Sequence, residues 1–481
     1  MNILIATSEY SYLAKSGGLA DAVVAIAEGL ARRDHRVDVV LPKYKKINTD
    51  SFTRHDEPLG VQIGDGTYWC AVHTKILNGV HLHLVEYDEL FRRDGIYGPT
   101  PSEAYGDNLR RFTVLSVATL EIAGFLDIRP DIIHVHDWPT APVALYLRTR
   151  YADTPALSES RNVLSIHNLG FQGVFPRHDA LRVLGFDDET AENLGITGPD
   201  GINLLRGGIL NSDRVVTVSP THATEIIQPR YGFGLHTALQ IRGPHLTGIL
   251  NGIDTSVWNP DTDQYLPARY NVDDLRGKRV CKQRLQEELE LPVDQSVPLI
   301  GTITRLTQQK GIDELFGENY GVARRLLEEL PIQWVVLGTG DGWCEDQIHL
   351  LAREFPNFAG LTMYSDTLAH QIEGGSDLFL MPSRYEPCGL NQMYSMRYGT
   401  IPIVTRTGGL VDTVDSTTGF HIEAHTPDAI FYAVAYAVDT YTHRPDEFRE
   451  MQRAGMNRDF GIDAAILRYE ELYQDALSGP S

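Results

Sequence analysis

A short apolar run, Ile3-Leu4-Ile5-Ala6, leads into Lys15-Ser16-Gly17-Gly18-Leu19, after which Leu19, Ala22, Val23, Ile26, Ala27 and Leu30 recur at helical spacing. A second apolar run, Val37-Asp38-Val39-Val40-Leu41, stops at Pro42. Strand, glycine turn, helix, strand is a βαβ unit, and its two strands are expected to run parallel. That one unit commits the chain to α/β architecture.

The pattern repeats. Short apolar runs at 132–135, 162–166 and 215–218 read as further strands of the same sheet. The stretch 49–87 differs: it alternates, as in Val80-His81-Leu82-His83-Leu84-Val85, and is expected to add antiparallel strands. A second series of strands, at 298–303, 334–338, 361–364, 378–381 and 401–405, follows Gly248-Ile249-Leu250-Asn251-Gly252-Ile253-Asp254. Ser16-Gly17-Gly18-Leu19 is echoed by Thr407-Gly408-Gly409-Leu410, each preceded by a basic residue, Lys15 and Arg406. At 481 residues the chain exceeds one ordinary core. The expected domains are therefore 1–245 and 246–460, with a terminal helix in 461–481 packing back on the first.

Net charge is −22, which argues against a nucleic-acid surface and against an anionic membrane as partner. It leaves room for a small anionic ligand, because a few focused cations dominate a cleft. Cys70, Cys281, Cys344 and Cys388 have no short spacing, so neither a zinc site nor a disulfide framework follows and a reducing, cytoplasmic setting is expected. Glu9 interrupts the first apolar run and no basic stretch precedes it, so no signal peptide is expected. No apolar stretch nears the roughly 18 residues of a membrane span.

Gly17 and Gly18 let the backbone approach a ligand without a Cβ or adopt positive φ, while Lys15 and a helix N-terminus supply positive charge. The motif fits a phosphate site; it also fits a tight turn with a surface lysine. Arg305 and Lys310, in Arg305-Leu306-Thr307-Gln308-Gln309-Lys310-Gly311, leave a strand's carboxyl end, where open α/β sheets bind ligands, and with Lys15 they suit a diphosphate. Glu386, in Pro382-Ser383-Arg384-Tyr385-Glu386-Pro387-Cys388-Gly389-Leu390, precedes another helix. It fits either a carboxylate that stabilises a helix dipole or one that binds sugar hydroxyls. His134-Val135-His136-Asp137-Trp138 and Ser165-Ile166-His167-Asn168 end adjacent strands; Asp137 and His167 read as polar groups facing a substrate, and His134 with His136 form no recognisable metal set. The glycine runs miss G-x-G-x-x-G, so a dinucleotide reading is poor.

Taken in order, Lys15–Leu19, His136-Asp137-Trp138, 167–173, Thr217-Val218-Ser219-Pro220, Asn251-Gly252-Ile253-Asp254, 305–311, 382–390, Tyr398-Gly399-Thr400 and 406–410 resemble the bacterial and plant glycogen/starch synthases over nearly the whole chain. The resemblance implies a GT-B fold: two Rossmann-like α/β domains with parallel sheets facing a deep interdomain cleft. It implies retaining transfer of glucose from ADP-glucose or UDP-glucose to the non-reducing end of an α-1,4-glucan, with no metal or prosthetic group. Carried over, Lys15, Arg305 and Lys310 hold the diphosphate and Gly18 approaches it; Glu386 lies at the sugar hydroxyls, with Asp137 and His167 on the donor-sugar side. Tyr364 stacks on the base, and Tyr97 is a cleft tyrosine. Gly17, Asp21, Asn251, Cys388, Gly389, Leu390 and Asn391 complete the implied donor contacts. Pro139, where the family usually has histidine, and Asn391 depart from the common pattern. Retention in hydrolases uses two carboxylates about 5 Å apart. Glu386 has no partner glutamate eight residues on, where Tyr394 stands, so front-face substitution is expected.

Overall fold

The computed structural model describes residues 1–64, 66–100, 103–318 and 321–479. The chain forms two compact units: Met1–Gly252 with Ile462–Ser481, and Ile253–Gly461. The first unit thus runs past residue 245, because Leu246–Gly248 pairs in parallel with Arg214–Thr217 and completes the first sheet.

In the first unit the strand Asn2–Ala6 lies between Arg36–Pro42 and Ile132–His136, parallel to both. Arg161–Ile166 and Arg214–Thr217 follow on the Ile132–His136 side. The central strands carry almost unbroken buried apolar side chains, as parallel strands covered on both faces must. The expectation for 49–87 holds for Thr53–Arg54, Leu59–Ile63 and Gly66–Leu77, which pair antiparallel. Val80–Glu86 meets it on one side only: it pairs antiparallel with Gly66–Leu77 and parallel with Arg36–Pro42. Asn78 and Gly79, both at positive φ, make the two-residue hairpin that reverses the chain, so Val80–Glu86 returns in the parallel sense. The polar side chains of its alternation are used inside: His83 Nε2 lies 2.8 Å from Asp38 Oδ1, both groups buried.

The helix Ile462–Ser478 belongs to this unit and buries Ile466, Tyr469, Leu472 and Tyr473 in the first core. It packs on the helix Gly18–Ala31 at Gly29, where an added Cβ would come within 2.5 Å of Ile466.

In the second unit six strands, all parallel, run in the order Phe358–Leu361, Gln333–Leu337, Leu299–Ile303, Leu378–Met381, Ile401–Thr405, Phe420–Ile422. The strand expected at 361–364 lies earlier, at Phe358–Leu361, because Phe358 and Ala359 are the buried residues and Tyr364 is 72 % exposed. Strand order reverses around Asn2–Ala6 in one unit and around Leu299–Ile303 in the other, the switch points where such sheets take ligands. No helix among the described residues is long and apolar enough to cross a membrane.

Because Gly29 has no room for a side chain against Ile466, Gly29→Val should overpack this contact and cost about 1–3 kcal/mol. Denaturant unfolding would read this as a lower midpoint, and an unchanged midpoint would show that the two helices are not tightly seated.

Candidate functional site

The glycine turn of the first unit is built from inside. The strand Asn2–Ala6 ends beside Glu9, whose side chain is buried. Glu9 Oε2 accepts hydrogen bonds from the amides of Ser16 (2.6 Å) and Gly17 (3.1 Å). Its Oε1 accepts one from the Tyr97 hydroxyl at 2.7 Å, and that hydroxyl lies 2.8 Å from Ser8 Oγ. Burial raises the Glu9 pKa against the pull of these donors. Two expectations are corrected here. The amides of Ser16 and Gly17 already serve an internal carboxylate. Gly17 is extended rather than left-handed, with nothing within 4 Å of an added Cβ, so glycine here keeps the approach open. Lys15 Nζ is 2.9 Å from Asp21 Oδ2, in the first turn of the helix that Gly18 opens.

Two strands supply the next groups. Asp137 follows Ile132–His136 in a left-handed conformation, φ 55°. Its Oδ1 accepts from the backbone amides of His167 (2.7 Å) and Asn168 (3.4 Å), so the two neighbouring strand ends are tied together. Desolvation pushes its pKa to about 7, Glu9 adding to the rise and the two amides opposing it. His167 Nε2 is 2.9 Å from His136 Nδ1. The His136 ring packs 4.2 Å from that of His134, whose Nε2 meets Ser165 Oγ at 2.7 Å and whose Nδ1 meets the Tyr473 hydroxyl at 2.8 Å. Burial holds all three histidines neutral, pushing His134 down to about 3, His167 to about 4 and His136 well below its usual value. His136 Nε2 is buried without a partner among the described residues. A bare lone pair costs less there than an orphaned N–H, which places the proton of His136 on Nδ1, that of His167 on Nδ1, and leaves His167 Nε2 accepting. Among the described residues no group of three or more His, Cys, Asp or Glu could hold a metal ion.

The sequence reading missed an aromatic trough in this unit. Tyr105, Trp138, Phe171, Gln172 and Phe175 line an open cavity of about 400 Å³. Gly173, at φ 63°, makes it possible: a Cβ there would come within 2.4 Å of the Trp138 ring. The legible signal was the aromatic clustering around Trp138 and Phe171. Asn251 is buried beyond the edge strand Leu246–Gly248, and no contact places it with Lys15 or His167.

In the second unit the expected residues converge at the switch point. Arg305 is exposed just past Leu299–Ile303. Gly311, at φ 75°, seats the following turn on the Pro382 carbonyl, which a Cβ would meet at 2.2 Å. The Arg384 amide donates to the Gln309 carbonyl at 2.9 Å. These contacts bring Lys310 Nζ to 2.5 Å from Glu386 Oε2, which also accepts from Ser383 Oγ at 2.9 Å. Gly408 and Gly409 perform a different task from their echo in the first unit: Gly409 donates its amide to the Glu386 carbonyl, and a Cβ on either would strike the carbonyls of Glu386 or Cys388. Asn391 opens the helix Asn391–Arg397 and its Nδ2 donates to the Ile303 carbonyl at 2.8 Å. Gly389, left-handed at φ 72°, and Leu390 carry the chain from buried Cys388 into that helix. Tyr364 stands apart from these, exposed past the edge strand, its hydroxyl donating to Asp366.

Residues 2–241 match the starch synthase catalytic domain and residues 284–454 the glycosyl transferases group 1. The glycogen synthase of Treponema denticola is 40% identical over 99% of both chains, and that of Anaeromyxobacter sp. is 41% identical over 100% of both. The catalytic domain of starch synthase IV from Arabidopsis thaliana, bound to ADP and acarbose, matches with a TM-score of 0.88 at 32% identity over 99% of both chains. A sucrose-phosphate synthase from Thermosynechococcus elongatus shares the fold, with a TM-score of 0.60 at 17% identity.

The neutral histidines set an acid limit. An unfolded histidine gains its proton near pH 6.5 and the buried ones far lower, so the unfolded chain binds more protons as pH falls from about 6.5. Stability should fall with pH there by about 1.4 kcal/mol per unit for each such histidine. His134→Gln should remove one proton from this slope between about pH 6 and 4.5; equal slopes for variant and parent would show His134 to be protonated in the fold.

Proposed function

Because the chain belongs to the glycogen and starch synthase family of glycosyltransferases, we propose that it moves glucose from ADP-glucose or UDP-glucose to the non-reducing end of an α-1,4-glucan, in the cytoplasm and with retention of configuration. The observation that carries this reading is the Lys310–Glu386 pair at the switch point of the second sheet. A diphosphate that binds Lys310 draws it from Glu386 and leaves that carboxylate for the sugar hydroxyls.

Lys15, Arg305 and Lys310 neutralise the diphosphate, and the first amides of the helix at Gly18 add their partial charge. Gly17 keeps the approach open. Asp21 and Glu386 hold the two lysines extended until the ligand arrives. Cys388, Gly389, Leu390 and Asn391 line the helix start beside Glu386, and Tyr364 offers its exposed ring to the base. The ADP bound to the Arabidopsis neighbour supports a nucleoside diphosphate as leaving group. His167, with its proton on Nδ1, donates to a glucose hydroxyl, and Asp137 fixes the strand end that presents it. The Trp138 trough offers apolar ring faces and the Gln172 amide to a glucan chain. Glu386 is the one buried carboxylate of its loop, so the reading favours substitution on the front face: the departing diphosphate helps take the acceptor's proton, and the protein positions both partners and stabilises the leaving charge. The cations are the protein's own, and no metal or prosthetic group takes part.

The test is release of ADP or UDP from each sugar nucleotide with glycogen, measured together with new α-1,4-linked glucose, with and without EDTA. Matched release and glucan growth, unaffected by EDTA, are expected. No release from either donor overturns the reading, and loss to EDTA restored by Mg²⁺ overturns the metal-free step. Arg305→Ala should lower kcat by about 10²–10³; near-full turnover at saturating donor would remove Arg305 from the diphosphate.

A further inference from the structure

We infer that Glu9 is a positioning residue of the donor site, an internal carboxyl group that shapes the turn carrying Lys15; the inference rests on the reading above. Lys15 stands between two clasps. On one side Tyr10 and Ala14 exchange backbone hydrogen bonds, amide to carbonyl in each direction at 2.8 Å. On the other, the Glu9 carboxylate holds the amides of Ser16 and Gly17 through one oxygen. Its second oxygen is held by Tyr97, whose hydroxyl is in turn placed by Ser8. Tyr97 therefore acts through Glu9 as a brace, rather than as a group that touches the donor.

One consequence follows from the chemistry. A carboxylate buried at this position stays in place only while its donors stay with it, because an unpaired buried acceptor is costly. The amides of Ser16 and Gly17 are thus withheld from the ligand, and an incoming phosphate meets the Lys15 ammonium and the amides that open the helix at Gly18.

Amide hydrogen exchange at Ser16 and Gly17 tests this without reference to turnover. Glu9→Ala should speed exchange at these two amides by about 10-fold or more while residues 23–30 of the following helix keep their protection. Glu9→Gln retains an oxygen for both amides and a nitrogen that Tyr97 can accept from, so it should retain most of the protection. In kinetics, Glu9→Ala should raise the donor KM by about 10-fold with kcat held within about threefold, and Glu9→Gln should recover most of that loss. Should Glu9→Ala fail to fold, Tyr97→Phe, which frees one carboxylate oxygen, should give a smaller exchange increase at the same two amides. Unchanged exchange in the folded variants, or a donor KM that stays put while the turn loosens, overturns the inference. If the parent protein transfers glucose from neither donor, the functional reading fails, and the exchange experiment still decides whether Glu9 holds the turn.

Discussion

Parallel strand pairing is the constraint on which the rest depends. Parallel strands all end on the same edge of their sheet, and the chain must leave that edge by a loop. In the first unit Asn2–Ala6, Ile132–His136 and Arg161–Ile166 are neighbours, so the Glu9–Gly18 turn, Asp137 and His167 emerge side by side although they are far apart in sequence. In the second, Leu299–Ile303 and Leu378–Met381 are neighbours, which sets Lys310 against Glu386. An antiparallel sheet of the same strands would send half of these groups to the opposite edge.

Two of the lysines described above are each paired with a carboxylate of their own unit. Lys15 rests on Asp21 and Lys310 on Glu386. Lys310 is the more buried of the two and would be costly without a partner, a cost that Glu386 removes.

Much of this was legible in the sequence because the signals were local. Buried parallel strands are short unbroken apolar runs, and those were placed to within a residue or two in most cases. Val80–Glu86 defeated the rule: alternation marks one polar face, yet its polar face is buried by pairing His83 with Asp38, a contact that no local pattern announces. The nearness of Lys310 to Glu386 was legible in part because each lies near a glycine just past a strand of the same sheet. Glu9 was not, since a carboxylate next to an apolar strand reads only as an interruption until the fold folds the glycine turn back over it. The repeated Gly-Gly-Leu misled in another way: the same tripeptide opens the helix Gly18–Ala31 in one unit and makes room for the Glu386 loop in the other. The line from Tyr473 to His134, His136 and His167 depends on a helix more than three hundred residues away in sequence, beyond any window of local reading.

That distant helix gives the protein an order of assembly. The first unit is interrupted: its sheet is complete by Gly248, but the helix that covers Ile3, His134 and Gly29 is translated only after the whole of Ile253–Gly461. On the ribosome the amino-terminal sheet must wait with one apolar face and a buried histidine unsatisfied, while the inserted unit can fold on its own as it emerges. Closure of the first core therefore follows synthesis of the second unit, and until the tyrosine-bearing helix arrives the nascent chain offers chaperones an apolar surface to bind.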